Sequence, residues 1–589
     1  MNENNRTAEL GGGEVIKRLL VFMKPYTAMM IITIIVGTSG SVLNILIPGQ
    51  ISKFAEIIQD GIGSSIDMGA VKSLGIRCVI ILIALFFCNL FYSRRMEKCA
   101  QYVARDIRAA LNDKLNRVAL ICYDRISAGD LIARTSVDVE HICIAISKSI
   151  GPLLINVVLL VGAIIFMFIR CVPMALCVIV SVLAGTLVSM YVTSKTIPMR
   201  TAQRMAQARM NIQIDETLTG FVVVKSYNAE NDLVSSFNAS NDSYVKSMQK
   251  SQFANNILTP LMSLVNNITY VVICLVGSFM MVKGIGGVDI SVIVAFILYS
   301  RMLSSPLNYF AGILGMLSIT LVSSRKILEL LDIPENVDEG QKSLPEVRGE
   351  VAFKDVRFGY NREREIIHGF NATIRPGMKV AIVGPTGAGK STLVNLLMRF
   401  YETDSGSISI DGVDVKELPR ETLHDILGMV MQESFLFEAS IRDNILYAAP
   451  GAGDDELQDV IHKCGLSYLI STMPEGLDTV LSAQTAVSAG QRQLITIART
   501  MIKNPAILIL DEATSSVDTR TELLIQKALD ELTKDRTSFV IAHRLSTIKN
   551  ADVIFVLNEG DIVETGNHEE LLAAGGLYAD LYHSQFEAA

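Results

Sequence analysis

Apolar residues are spread unevenly along the chain. Runs long enough to cross a bilayer occur only before about Thr320, and six stand out: Thr27–Ile47, Gly75–Tyr92, Ile150–Ile169, Met174–Ser194, Leu258–Val282 and Ile290–Leu317. From Leu331 the pattern changes. LDIPENVDEGQKSLPEVRGE is polar, with Pro334, Gly340, Pro345 and Gly349, and reads as a linker. After it, short β-branched runs (VAFKDVRFGY, KVAIVG, AILIL, SFVIAH, DVIFVL) alternate with helical periods, which predicts an α/β domain with a largely parallel sheet. The expected division is a membrane portion over 1–330, a linker over 331–349 and a soluble portion over 350–589.

Within the membrane portion the second span is the weakest. Arg77 and Arg94 bracket 16 residues, a reach of roughly 24 Å against a hydrocarbon core of about 30 Å, so Arg77 must snorkel or the helix must begin earlier. Two connections, Arg94–Lys148 and Lys195–Lys250, are long, helix-rich and basic, whereas the loops at Cys171–Pro173 and Lys283–Asp289 are short. The excess of Lys and Arg puts the long connections in the cytoplasm. Two helical arms of about 25 residues in each would reach roughly 40 Å beyond the bilayer. Ahead of the first span, EVIKRLLVFMKPY suits an amphipathic helix on the inner membrane surface or an ordinary start of the span. Arg301 is the one clear charge inside a span, with no Asp or Glu in any span to pair with it. It is a candidate for a water-filled cavity, a subunit interface, substrate contact or structural packing against Ser or Asn groups.

Composition agrees with a chain part membrane, part soluble: half the 589 residues are hydrophobic and 19% are charged, with a mean hydropathy of +0.39. The net charge of −8 argues against a polyanion-binding protein, so nucleic acid is not an expected partner. Nine scattered cysteines form no CxxC pair, which points to small core hydrophobes rather than a zinc site or a disulfide framework. The polar start MNENNRTAELGGGEV lacks a signal-peptide pattern.

The strongest chemical signal is AIVGPTGAGKST. A buried strand runs into Gly384-Pro385-Thr386-Gly387-Ala388-Gly389-Lys390-Ser391-Thr392 and a helix follows at once, the pattern of a P-loop. Its glycines let backbone NH groups curl round phosphate oxygens. Lys390 neutralises the outer phosphates, and Ser391 offers a hydroxyl to Mg²⁺. In AILILDEATSSVD, apolar strand residues deliver Asp511 to the sheet's carboxyl edge, where it can hold Mg²⁺ through water. Glu512 is placed to polarise the attacking water. The expected fold is multi-domain: an all-α six-span transmembrane domain with long cytoplasmic helical arms, followed by a P-loop α/β nucleotide-binding domain.

Together these motifs resemble the ATP-binding cassette (ABC) transporters, specifically exporters that carry membrane and nucleotide-binding domains in one chain. The resemblance covers nearly the whole sequence. It implies that Tyr360 in VRFGY stacks on adenine, that Gln432 in GMVMQESFLF senses Mg²⁺ and the membrane domain, that His543 in FVIAHRLST lies near the γ-phosphate, and that Asp518 belongs to a loop coupling two ATP sites. Glu512, His543 and Lys390 are the implied catalytic group, and Ser391, Gln432 and Asp511 the implied Mg²⁺ set. The family's Leu-Ser-Gly-Gly-Gln signature, which clamps the γ-phosphate of ATP held by the opposite domain, reads here Val487-Ser488-Ala489-Gly490-Gln491. Ser488, Gly490 and Gln491 are kept; Ala489 adds a methyl near the nucleotide and restricts the backbone. The preceding Leu481–Ala486 has no acid, where the family often has one.

An intact catalytic set beside an altered signature resembles the catalytic-glutamate subunit of bacterial heterodimeric multidrug exporters. A homodimer using Ala489 in both sites is the alternative. The resemblance implies ATP-driven, alternating-access export across the cell membrane, with both termini and the ATPase domain cytoplasmic. An ATP-gated channel or receptor and an importer of iron chelates share the same fold. Many Met and Phe with few polar groups in the spans suit amphipathic or hydrophobic cargo such as drugs, lipids or peptides. With no peptidase domain ahead of the first span, export coupled to leader cleavage is not expected.

Overall fold

The computed structural model describes residues 11–61, 66–336, 340–344, 346–360, 364–482, 487–511, 518–541 and 548–584. Two compact units emerge. One comprises Met1–Asn116 and Ala128–Ile333, the other Arg117–Ser127 and Pro334–Ala589.

The first unit is helical. Its elements are α1 (Gly12–Met23), α2 (Thr27–Asp60), α3 (Met68–Leu115), then, after α4 (Ile121–Arg125) of the second unit, α5 (Ala128–Ala133), α6 (Val139–Ala145), α7 (Gly151–Arg170), α8 (Val172–Thr219), α9 (Phe221–Ser226), α10 (Glu230–Asn256), α11 (Leu258–Lys283) and α12 (Ile290–Asp332). Among the described residues six helical stretches are long and apolar enough to cross a membrane: Gly12–Asp60, Met68–Leu115, Ala128–Arg170, Val172–Thr219, Glu230–Lys283 and Ile290–Leu307. They contain or overlap the six apolar runs. The shortness of the second run is resolved by its start: α3 begins at Met68, where Asp67 accepts from the amides of Gly69 and Ala70 at 2.9 and 3.0 Å. Arg77 therefore sits inside a longer helix.

Both α3 and α8 are 48 residues long, about 72 Å at the helical rise, more than twice the roughly 30 Å hydrocarbon core. Where helices meet, small residues let them approach. A side chain at Gly37 would come within 2.6 Å of Ile155, and one at Gly185 within 2.5 Å of Val265. A buried cluster including Ile45, Met167, Met174, Phe296 and Tyr299 joins α2, α7, α8 and α12, and the Tyr299 hydroxyl donates to the Ile45 carbonyl at 3.3 Å. Arg134 ties the connection after the second span to α12, donating to Asp130 and to the Lys326 carbonyl, each at 2.9 Å. Arg301 is exposed and has no hydrogen bond or ion pair among the described residues.

The second unit is α/β. Strands β1 (Val351–Phe358), β2 (Ile367–Ile374), β4 (Ser405–Ile410) and β5 (Val413–Asp414) form an antiparallel sheet in the order β2-β1-β4-β5. A six-stranded sheet runs β10-β9-β3-β8-β7-β6, built from β3 (Lys379–Val383), β6 (Leu427–Val430), β7 (Ile507–Asp511), β8 (Thr537–Ile541), β9 (Val553–Asn558) and β10 (Asp561–Gly566). All its pairings are parallel except β9 with β10. The central strands carry apolar side chains on both faces, as a sheet covered on both sides requires. The segment Arg117–Ser127 joins this unit through a bridge between Val118 and Glu335, and Ile121 of α4 packs on its core. All nine cysteines are free thiols; Cys99, Cys143, Cys171 and Cys464 are buried and Cys274 is exposed.

Arg399 is a buried cation of this unit. Its guanidinium donates to the carbonyls of Val415 at 3.1 Å and Leu418 at 2.9 Å and to Glu402 at 2.9 Å. Arg399→Ala strips two buried carbonyls of their donor, and we expect a loss of about 3 kcal/mol. With no tryptophan in the chain, circular dichroism in urea is the measurement, and Arg399→Lys should recover part of the loss.

Candidate functional site

Parallel pairing sets the register of the site. Ile382 of β3 lies opposite Ile541 of β8, Ile541 opposite Asp511 of β7, and Leu510 opposite Val430 of β6. Four neighbouring strands therefore end together. The chain leaves β3 into the glycine loop and β6 toward Gln432, while Asp511 itself closes β7. A carboxyl edge of this kind is where open α/β sheets bind ligands.

The loop after β3 is tightly constrained. Gly384 packs so near β9 that a Cβ would fall 2.2 Å from the Leu557 carbonyl oxygen, and Gly389 holds φ at 98° as it caps α13 (Lys390–Leu397). Pro385, Thr386 and Gly387 are exposed at the crown, Ala388 is buried beneath it, and the Ala388 amide donates to the Pro385 carbonyl at 3.2 Å. Lys390 is half-buried, its ammonium donating to the carbonyls of Gly384 at 2.7 Å and Pro385 at 3.0 Å. Burial lowers its pKa, opposed by the nearby Asp511 carboxylate. Ser391 is exposed and Thr392 buried, with the Thr392 hydroxyl 3.4 Å from that of Tyr360.

Ser391, Asp511 and exposed Gln432 offer only oxygen atoms and a side-chain amide, a hard donor set that suits Mg²⁺ completed by phosphate oxygens. No cluster of three or more His, Cys, Asp or Glu that could cage a metal occurs among the described residues. Glu512 and His543 lie outside the described residues, as do Ala483–Ala486; β7 and β8, the strands that precede Glu512 and His543, are paired neighbours.

The signature segment has a definite local structure. Ser488 is the N-cap of the helix Ala489–Lys503: its hydroxyl accepts from the Gln491 amide at 3.2 Å while Gln491 Oε1 accepts from the Ser488 amide at 2.9 Å, a reciprocal capping box. Ala489 is the first helical residue and carries no positive φ. The expected backbone restriction is therefore harmless here, because a helical position suits alanine better than glycine. Its methyl is exposed, and Gly490 is buried behind it. Asp518 caps the helix Thr519–Thr533, accepting from the Thr521 amide at 3.0 Å, and this bond holds its carboxyl below the usual range.

Comparison with known proteins gives two family matches: the ABC transporter transmembrane region over residues 29–307 and ABC transporter over 367–515. A fatty acid ABC transporter ATP-binding/permease protein of Mycobacterium tuberculosis is 33% identical, covering 98% of this chain and 96% of the relative. The chain belongs to the ABC transporters. An ATP-dependent lipid A-core flippase of Saccharophagus degradans is 32% identical over 97% of this chain and 98% of its own length. A probable multidrug resistance ABC transporter of Bacillus subtilis, YheH, is 31% identical over 83% and 73%. The protein is thus an ATP-hydrolysing, multi-pass membrane transporter of exporter fold with a cytoplasmic ATPase domain.

Two features of this ABC transporter escape a reading of local sequence. Tyr360 stands edge-on to Phe358 and Tyr401, each ring pair 5.1 Å between centroids, and the Tyr401 hydroxyl donates to Asp124 of α4. Burial and the Asp124 carboxylate together push the Tyr401 phenol upward. A short loop helix is therefore linked, through one hydroxyl and one ring, to Tyr360. The second feature is Arg499, on the signature helix. It donates to the carbonyls of Asn444 at 2.8 Å and Phe435 at 3.1 Å and lies over the rings of Phe437 and Tyr447. The segment following Gln432 is lashed to that helix.

Tyr401→Phe keeps the ring and removes the donor. We expect faster amide hydrogen exchange over 117–127 with exchange over 379–397 unchanged, reflecting a lost charge-assisted bond of about 1.5–3 kcal/mol. Tyr401→Ala should in addition weaken binding of an ATP analogue, because Tyr360 loses its neighbouring ring.

Proposed function

We propose that this chain is the catalytic half of a heterodimeric exporter that moves amphipathic or hydrophobic compounds, lipids foremost, out of the cell membrane's inner side by alternating access. The observation that carries the reading is an asymmetry. The P-loop residues, Asp511 and Glu512 are complete, whereas the signature that serves the opposite site is altered at Ala489 and preceded by an acid-free segment. The names of the relatives, a fatty acid transporter and a lipid A-core flippase, support lipidic cargo. Spans rich in Met and Phe agree with it.

In this reading Tyr360 stacks on the adenine, amides of the Gly384–Gly389 loop and the amino end of α13 receive the phosphates, and Lys390 neutralises their outer charge. Ser391, Gln432 and Asp511 would hold Mg²⁺, which supplies further neutralisation of the phosphates when bound. Glu512 orients and polarises the attacking water, and His543 donates near the transferred phosphate. Ser488, Gly490 and Gln491 present a helix amino terminus to nucleotide held by the partner, and Asp518 lies between the two sites. ATP drives the switch because it binds the closed pair of domains more tightly than the open one.

ATP hydrolysis by the purified chain, with Glu512→Gln as the blank, tests the assembly. Negligible turnover alone, restored by a co-purified partner, is the expected result; robust turnover alone would establish a homodimer and overturn this part of the proposal. In the restored pair, Lys390→Ala should abolish hydrolysis, by at least about 100-fold, whereas Ser488→Ala should lower it only modestly. A homodimer would lose activity in both variants.

A further inference from the structure

The membrane unit contains a cavity of about 420 Å³ that neither the nucleotide chemistry nor the signature explains. Val15, Leu19 and Met23 of α1 line it together with Ile142 and Ile146 and with Leu321 of α12. The cavity opens to the surface beside the exposed Ile16 and Leu20, and concavities of this volume are the size of ligand sites. Two of the three hydroxyls in the lining are committed within their own helix: Thr320 donates to the Met316 carbonyl at 2.9 Å and Ser324 to the Thr320 carbonyl at 2.6 Å. A polar guest would lose its hydrogen bonds to water and regain few here, so the cavity selects hydrocarbon.

The wall made by α1 is held in place. Arg18 forms a two-pronged pair with Asp332, the last residue of α12, one contact measuring 2.6 Å. Arg18 is therefore committed to the fold, but Lys17 of α1 and Lys24, the residue after its end, are exposed. The same helix exposes Ile16, Leu20 and Val21. An apolar surface beside exposed lysines, directly ahead of a membrane span, sits where acyl chains meet anionic headgroups.

We propose that this cavity binds one acyl chain of an anionic membrane lipid, with its headgroup held by Lys17 and Lys24. The proposal rests on neither the identity of the cargo nor the ATP cycle, so its failure would leave the exporter reading intact. A lipid seated there fills the space between α1 and α12.

The test uses the full chain in nanodiscs with a trace of phosphatidylglycerol carrying a diazirine near its acyl terminus. Labelled peptides are mapped after irradiation. Label should concentrate on residues 12–23, 139–150 and 317–324, severalfold above the exposed α3 surface at 76–87. Ala145→Phe, which fills the cavity, should remove that excess. Should that variant fail to fold, the surface changes Lys17→Glu and Lys24→Glu decide: each should lower phosphatidylglycerol labelling about fivefold and leave labelling by a matching phosphatidylcholine probe unchanged. Label spread evenly over the helices would overturn the site. Equal labelling by the two lipids would overturn the anionic assignment, and displacement by stoichiometric palmitate would replace bilayer lipid with free fatty acid.

Discussion

The nucleotide-binding unit depends on one constraint, the in-register parallel pairing of β3, β8, β7 and β6. A strand that slipped by one residue would turn its side chains to the other face and move its end along the edge. Because the ends of β3, β8, β7 and β6 each fall within one residue of the neighbouring strand's end in register, the glycine loop, the acidic strand end and the approach to Gln432 converge without further machinery. The apolar side chains that fix this register, such as Ile382, Ile509 and Phe539, touch no phosphate in any reading of the site. Their part is to make the position of Asp511 a consequence of core packing. The crowding of Gly384 against Leu557 belongs to the same constraint, since only a residue without a side chain lets the loop leave β3 at that level.

Much of this was legible in the sequence, for a physical reason: the informative features are local or periodic. Long apolar runs mark spans because backbone groups in lipid must satisfy themselves within a helix. Glycines at 384 and 389 followed by Lys390 and Ser391 mark a phosphate loop because the chemistry needs that geometry in consecutive residues. What stayed hidden lies at long range or in local conformation. Tyr401 and Asp124 are 277 residues apart, and neither sits in a pattern that announces the other. Arg499 looks like any cation of an amphipathic helix until the carbonyls of Phe435 and Asn444 are seen above it. Ala489 reads as a weakening of the signature when judged by residue type. Judged by conformation it is the first residue of a well-capped helix, and what distinguishes it is an exposed methyl.

The membrane unit shows how length substitutes for chemistry. The 48-residue helices α3 and α8 run well past the length a bilayer core requires, and Pro198 inside α8 leaves one break in its hydrogen-bond ladder. Arg134, clasping Asp130 and the Lys326 carbonyl, ties the connection between α5 and α6 to α12. Charges inside the apolar region are scarce, which makes the exposed Arg301 conspicuous.

The helix α4 has a consequence for how the protein is made. The ATPase unit is assembled from two separated pieces of chain, and Asp124 leaves the ribosome 277 residues ahead of Tyr401. At roughly 5–20 residues per second that interval is on the order of 14–55 s. Throughout it the segment Arg117–Ser127 lacks the surface that will receive it, with four membrane spans still to be inserted. Biogenesis of the soluble domain is thus tied to biogenesis of the membrane domain: the cassette reaches its complete form only when the spans before it have kept hold of a fragment that belongs to it.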